Sequence, residues 1–139
     1  MQNTEDKHSF QKSLLAELTV LLVEDEPELK ALLTFILEGN GARIIPAGSA
    51  IEALNQLERR QPDVLVSNVK LPDEDGCWLI EQVRQGEGPG RELPAIGVTS
   101  YLGEVDAQEA LRAGFHHFLS KPIDPDELVQ EVLKLAGRA

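Results

Sequence analysis

A chain of 139 residues fits one domain with a sizeable core, since domains of about 100–150 residues are the commonest size. Its 13 Lys and Arg against 24 Asp and Glu leave a net charge of -11, which repels phosphate backbones and anionic lipid surfaces and speaks against nucleic acid or membrane as a partner. The single cysteine, Cys77, cannot close an internal bridge, no apolar run approaches the roughly 20 residues of a membrane span, and Met1 to Phe10 is polar and acidic rather than a secretion signal, so a cytoplasmic setting is expected.

Residues 1–17 are expected to form an N-terminal extension in which Phe10, Leu14, Leu15 and Leu18 nearly share a helical face, suited to capping the domain or joining a partner; residues 18–139 are the domain itself. Within it, five short, largely apolar runs alternate with stretches of helical period. The runs are Leu18 to Val23, Ala42 to Pro46, Asp63 to Ser67, Pro94 to Thr99 and Phe115 to Ser120, and each suits a buried parallel strand. The first helix begins near Pro27, carries Leu29, Leu32, Leu33, Ile36 and Leu37 on one face, and ends at Gly39-Asn40-Gly41. The second opens with a capping box, Ser49 with Glu52, ahead of Ile51, Ala53, Leu54 and Leu57. A third runs from about Gly76 towards Gln85 and is stopped by the Gly86-Glu87-Gly88-Pro89-Gly90 loop. The fourth, Glu104 to Ala113, offers only Ala107, Ala110 and Leu111 to a core, and the last opens at Asp124, Pro125 and Glu127. Because Arg138-Ala139 follows directly, no appended output domain is expected.

Sheets of this kind place their chemistry at the carboxyl ends of the strands, beside the point where strand order reverses. There the chain has Glu24-Asp25-Glu26, Asn68, Thr99-Ser100 and Lys121-Pro122. Two carboxylates and a carbonyl oxygen suit a hard divalent ion such as Mg²⁺. A hydroxyl and an ammonium alongside suit phosphoryl oxygens.

The set resembles the receiver domains of two-component response regulators from Leu18 to Leu135, and in overall cast the receivers of hybrid sensor kinases. The resemblance rests on Val20-Leu21-Leu22-Val23-Glu24-Asp25-Glu26-Pro27, on Pro62 to Pro72 with Asp75-Gly76, on Ala95 to Ser100, and on Ala113 to Pro122. It implies a flavodoxin-like (βα)5 doubly wound parallel sheet in strand order 2-1-3-4-5. By the same resemblance Glu24, Asp25, position 68 and the Lys70 carbonyl would surround the metal, and Lys121 would contact the phosphoryl group. Thr99 would swing towards that group and let Phe118 turn inward, reshaping the face of helix four, strand five and helix five. A cis peptide before Pro122 would aim the lysine. The partners implied are a sensor histidine kinase, a phosphotransfer protein or an output protein, or a second copy in a homodimer.

The family has an aspartate where this chain has Asn68. A carboxylate attacks phosphorus and forms an acyl phosphate, whereas an amide offers neither the charge nor a stable product, so phosphotransfer to Asn68 should fail. Losing one carboxylate should also leave Mg²⁺ binding weak or absent, and it relieves repulsion around Glu24 and Asp25. Three readings of Asn68 stand side by side: a naturally degenerate receiver, a substitution made to block phosphorylation, and a buried amide that holds a loop.

The remaining candidates have plain explanations. Ser67 points to the face opposite Asn68 and packs. Asp73-Glu74-Asp75-Gly76 lacks the first and last ligands of a calcium loop and reads as a solvated turn. His116 and His117 lack metal-site spacing, and His8 lacks the helical bundle of a phosphotransfer histidine. Cys77 reads as a small core residue and Trp78 as half-buried packing. Three functions compete: a non-enzymatic binding module, an Mg²⁺-dependent phosphatase or nuclease, and a flavin or nucleotide binder. The second needs another acidic residue, either one apart from its neighbour on strand one or at the end of strand three. The third needs a Gly- or hydroxyl-rich loop where this chain is acidic. The binding module is therefore expected.

Overall fold

The computed structural model describes residues 14–86, 89–99 and 111–137. Five strands form one parallel sheet: β1 (Thr19–Val23), β2 (Arg43–Ala47), β3 (Val64–Asn68), β4 (Ala95–Thr99) and β5 (His117–Ser120), in the order β2-β1-β3-β4-β5. The helices are α1 (Pro27–Gly39), α2 (Ala50–Arg59), α3 (Gly76–Gln85), α4, of which residues 111–113 are described, and α5 (Pro125–Leu135). This is the flavodoxin-like α/β architecture. Among the described residues no helix is long and apolar enough to cross a membrane.

Strand alternation sorts the core into two halves. Val20 and Leu22 of β1, Val64 and Val66 of β3, Ile96 and Val98 of β4 and Leu119 of β5 pack with Leu33, Ile36 and Leu37 of α1 and with Leu128, Val129, Val132 and Leu133 of α5. Leu21, Val23, Leu65 and Ala95 turn the other way, onto Ala50 and Ala53 of α2 and Leu79, Ile80 and Val83 of α3. Leu15 is fully buried in the first half, and its N–H donates to the Asn40 carbonyl at the end of α1 (2.8 Å). Phe10 and residues 104–110 lie outside the described residues.

Sequence periodicity placed the strands with small displacements. β2 and β3 begin and end one residue later than expected, β1 and β4 begin one later, and β5 begins two later. Their burial differs more: β1, β3 and β4 are covered on both faces, but the edge strands β2 and β5 expose Arg43, Pro46, His117 and Ser120. On α1, Leu32 is exposed rather than buried, as is Ile51 on α2, because each lies at the margin of its helix's apolar stripe.

Helix starts follow local chemistry. Ser49 Oγ accepts the Glu52 N–H (3.1 Å), but the Glu52 carboxylate reaches back to the Gly48 N–H (3.1 Å) and not to Ser49, so the capping box is displaced by one residue. Asp124 accepts the N–H groups of Asp126 and Glu127 ahead of Pro125-led α5. The 73–76 turn is more than a solvated loop. Asp75 caps α3 through the Trp78 N–H (2.8 Å), and Asp73 crosses to α2, accepting the N–H groups of Ala50 (3.0 Å) and Ile51 (2.9 Å). Burial would raise the Asp73 carboxyl, but the backbone donors of Ile51 and Ala50, with those of Glu74 and its own residue, hold it below the ordinary aspartate value.

Candidate functional site

Sheet register brings the acidic segment and position 68 together. Val23 pairs with Ser67, so the next residues, Glu24 and Asn68, emerge side by side where strand order reverses between β1 and β3. Asn68 in turn pairs with Val98, placing Thr99 and then Ser120-Lys121 along the same edge.

Glu24 is fully buried. Its Oε2 accepts the Glu26 N–H (3.0 Å) and the Asn68 Nδ2–H (3.2 Å); its Oε1 has no hydrogen-bond partner among the described residues. Desolvation raises the Glu24 carboxyl above its ordinary value, against the lowering effects of the Glu26 N–H, the Lys121 ammonium and the Asn68 amide, and Asp25 adds to the rise. Asn68 is nearly buried too. Its Oδ1 accepts the Lys70 N–H (3.3 Å), so the donor on one side and the acceptor on the other fix which way the amide faces. Asp25 is exposed beside them.

At the other side of the cleft, Lys121 Nζ lies 3.9 Å from Glu26 Oε2, and the Lys121–Pro122 peptide is cis. Thr99 is buried. Phe118 is half-buried and packs with the second half of the core, its ring 5.2 Å from that of Phe115 and tilted by 60°. Gly97, paired with Phe118 across β4 and β5, makes that pose possible: a Cβ there would stand 2.5 Å from Phe118 Cε1. Ser67 is buried with its hydroxyl donating to the Asn68 carbonyl (2.9 Å). Gly76 closes the loop after β3, donating its N–H to the Val69 carbonyl (2.6 Å), and a Cβ there would approach the Asn68 carbonyl to 2.7 Å.

Thus Glu24, Asp25, Asn68, Lys70, Thr99, Phe118 and Lys121 all lie at one edge of the sheet or beside it. Three contributors have no role assigned by the sequence alone. Glu26 faces Lys121, Gly97 admits the Phe118 ring, and Asp73 ties the β3–α3 loop to α2. Gly97 carried a signal, because a glycine inside an apolar strand marks a close approach. His116 lacks metal-site spacing but has a structural contact: its Nδ1 accepts the Ala95 N–H (3.0 Å), and the Arg84 guanidinium beside it donates to the Gly114 carbonyl (2.6 Å).

The donor set can be tested against the divalent cation expected at such an edge. Among the described residues no group of three His, Cys, Asp or Glu side chains is placed to hold a metal ion. The amide presents a nitrogen to Glu24, and nitrogen-bound hydrogen repels a cation rather than ligating it. The described residues thus offer a cation two carboxylates, one of them with an unpartnered Oε1, beside an amide whose nitrogen faces Glu24.

Comparisons with known proteins agree with the fold. Residues 20–133 match the response regulator receiver domain model. A 14.6 kDa protein of Leptolyngbya boryana is 48% identical over 118 residues, covering 85% of this chain and 89% of its own length. The sensor histidine kinase GacS of Pseudomonas protegens is 32% identical and the phosphate regulon regulator PhoB of Escherichia coli 31%, each over 86% of this chain; the chain spans 13% of GacS and 52% of PhoB. Among solved structures, the receiver domain of sensor histidine kinase PA1611 from Pseudomonas aeruginosa, with magnesium in its active-site cleft, superposes with a TM-score of 0.81 at 30% identity, covering 88% of this chain and 99% of that one. With its five-stranded 2-1-3-4-5 sheet and its acidic edge, the chain belongs to the response regulator receiver domains of two-component signalling.

Proposed function

We propose that this receiver is degenerate: a signalling module that works in the cytoplasm by protein–protein contact without accepting a phosphoryl group. The observation that carries this is Asn68. It occupies the acceptor position at the end of β3, 3.2 Å from Glu24, as a neutral amide whose two polar atoms are both engaged within the protein. Forming an acyl phosphate requires an ionised oxygen to attack phosphorus, and this side chain has none.

The rest of the edge keeps the residues a phosphate-responsive receiver would use. Lys121 supplies the positive charge, Thr99 the hydroxyl, and Phe118 the aromatic ring between the edge and the surface of α4, β5 and α5. That surface is the one offered to a sensor histidine kinase, a phosphotransfer protein, an output protein or a second copy of the chain. Phe118 packs over Gly97 with the second half of the core, which supports a contact surface that does not depend on phosphorylation. The PA1611 receiver is described with magnesium in its cleft. Here the missing carboxylate and the inward-facing amide nitrogen reduce the affinity for that ion.

Intact-mass measurement after incubation with a small-molecule phosphodonor and Mg²⁺ tests the reading. The unaltered chain gains no phosphoryl mass, while Asn68→Asp gains one. Phosphorylation of the unaltered chain at the cleft would contradict it.

A further inference from the structure

We propose that the Asn68 amide does the work of a cation in this cleft, joining β1, β3 and the β3–α3 loop into one fixed arrangement that needs no metal ion. This deepens the degenerate reading above and rests on it, but is tested separately.

Two carboxylates brought together at the ends of adjacent strands repel, and only a positive charge between them, or a donor, removes the conflict. The donor here is built in. Nδ2 of Asn68 gives its hydrogen to the buried Glu24 Oε2, which also takes the Glu26 N–H, and so offsets part of the charge that a metal ion would otherwise compensate, while Oε1 keeps no partner among the described residues. Oδ1 of the same side chain takes the Lys70 N–H and thereby fixes the first residues of the following loop. That loop is further held by the Gly76 N–H on the Val69 carbonyl, and through Asp73 it anchors the N-terminus of α2. Two sets of hydrogen bonds, Glu24–Asn68–Lys70 at one end of the loop and Asp73 with Ala50 and Ile51 at the other, are therefore joined through the loop backbone. An aspartate at position 68 can accept the Lys70 N–H but cannot donate to Glu24. It would open the first set at its Glu24 link and return the conflict to a cation. Asn68 is thus a positioning residue.

The test is thermal unfolding of the full chain and of Asn68→Asp, each in chelator and in MgCl2, with MnCl2 line broadening of backbone amides as the second readout. The unaltered chain should show the same midpoint in both buffers. Asn68→Asp should unfold at a lower temperature in chelator and recover by roughly 4 °C or more at saturating Mg²⁺, as linkage to a bound ligand requires. Should Asn68→Asp not fold in chelator and fold with Mg²⁺, the proposal is supported in stronger form. Should it not fold in either, the Mn²⁺ readout on the unaltered chain decides: broadening no greater at Asp25, Asn68 and Lys70 than at other exposed acidic sites supports the proposal. An Mg²⁺-dependent midpoint in the unaltered chain, or selective broadening at those three amides, would overturn it. Either result would leave the phosphodonor experiment free to succeed or fail by itself.

Discussion

On both faces of the sheet the buried side chains are aliphatic or aromatic. The four buried polar residues among those described, Glu24, Ser67, Asn68 and Thr99, all stand at or beside the carboxyl ends of β1, β3 and β4. The two regions are held by different forces. Apolar burial is non-directional and tolerates any side chain of similar volume, so the faces specify the fold without specifying a function. A buried carboxylate, by contrast, is costly unless each oxygen is matched. Concentrating such groups at one edge makes sense only where the site does something with them.

Substitutions can separate the two kinds of support. The largest loss is expected from Leu22→Ala, which empties a fully buried position on β1 and should cost ~2–5 kcal/mol in denaturant unfolding with the cleft unchanged. Gly97→Ala lies where the regions meet. Its Cβ would strike the Phe118 ring, so a loss of ~1–3 kcal/mol is expected, together with displacement of that ring seen in side-chain NMR spectra. If Gly97→Ala left both stability and the ring untouched, packing would not be what holds Phe118 inward. Asp73→Ala should cost ~1 kcal/mol and speed hydrogen exchange at Ala50 and Ile51, with the apolar faces unaffected.

The smallest effect is one of pH. Burial, and then the Arg84 guanidinium, hold His116 below its ordinary value of 6.5. The unfolded chain therefore takes up the proton first, and stability falls as pH drops below 6.5, the loss ending once the folded-state value is passed. Replacing His116 by Gln should flatten that slope in unfolding curves measured across the window.

The same division explains what could be read from the sequence. Apolar runs such as Leu21-Leu22-Val23 and Val64-Leu65-Val66 declare buried strands by composition alone, and Pro27, Ser49 and Asp124 mark helix starts because capping is local chemistry. The site positions were legible because strand ends in a doubly wound sheet converge by topology. What the sequence does not contain is contact across the fold. Asp73 looks like any turn aspartate until α2 is seen above it, 23 residues away from its partner Ala50 in the chain. The pairing of Asn68 nitrogen with Glu24 depends likewise on residues separated by 44 positions and on how an amide is turned. Edge-strand exposure was missed for a related reason: an apolar run does not state which strand has neighbours on both sides.

The proposed degeneracy is that an uncharged amide, hydrogen-bonded through both Nδ2 and Oδ1, stands where a phosphoryl acceptor would be. It is tested most directly by amide NMR spectra recorded with and without beryllofluoride and Mg²⁺, a phosphoryl stand-in that bonds to an ionised carboxylate. Resonances at Lys70, Thr99, Phe118 and Lys121 are expected to stay unchanged in the unaltered chain and to shift in Asn68→Asp. Saturable shifts at those residues in the unaltered chain would contradict the proposal.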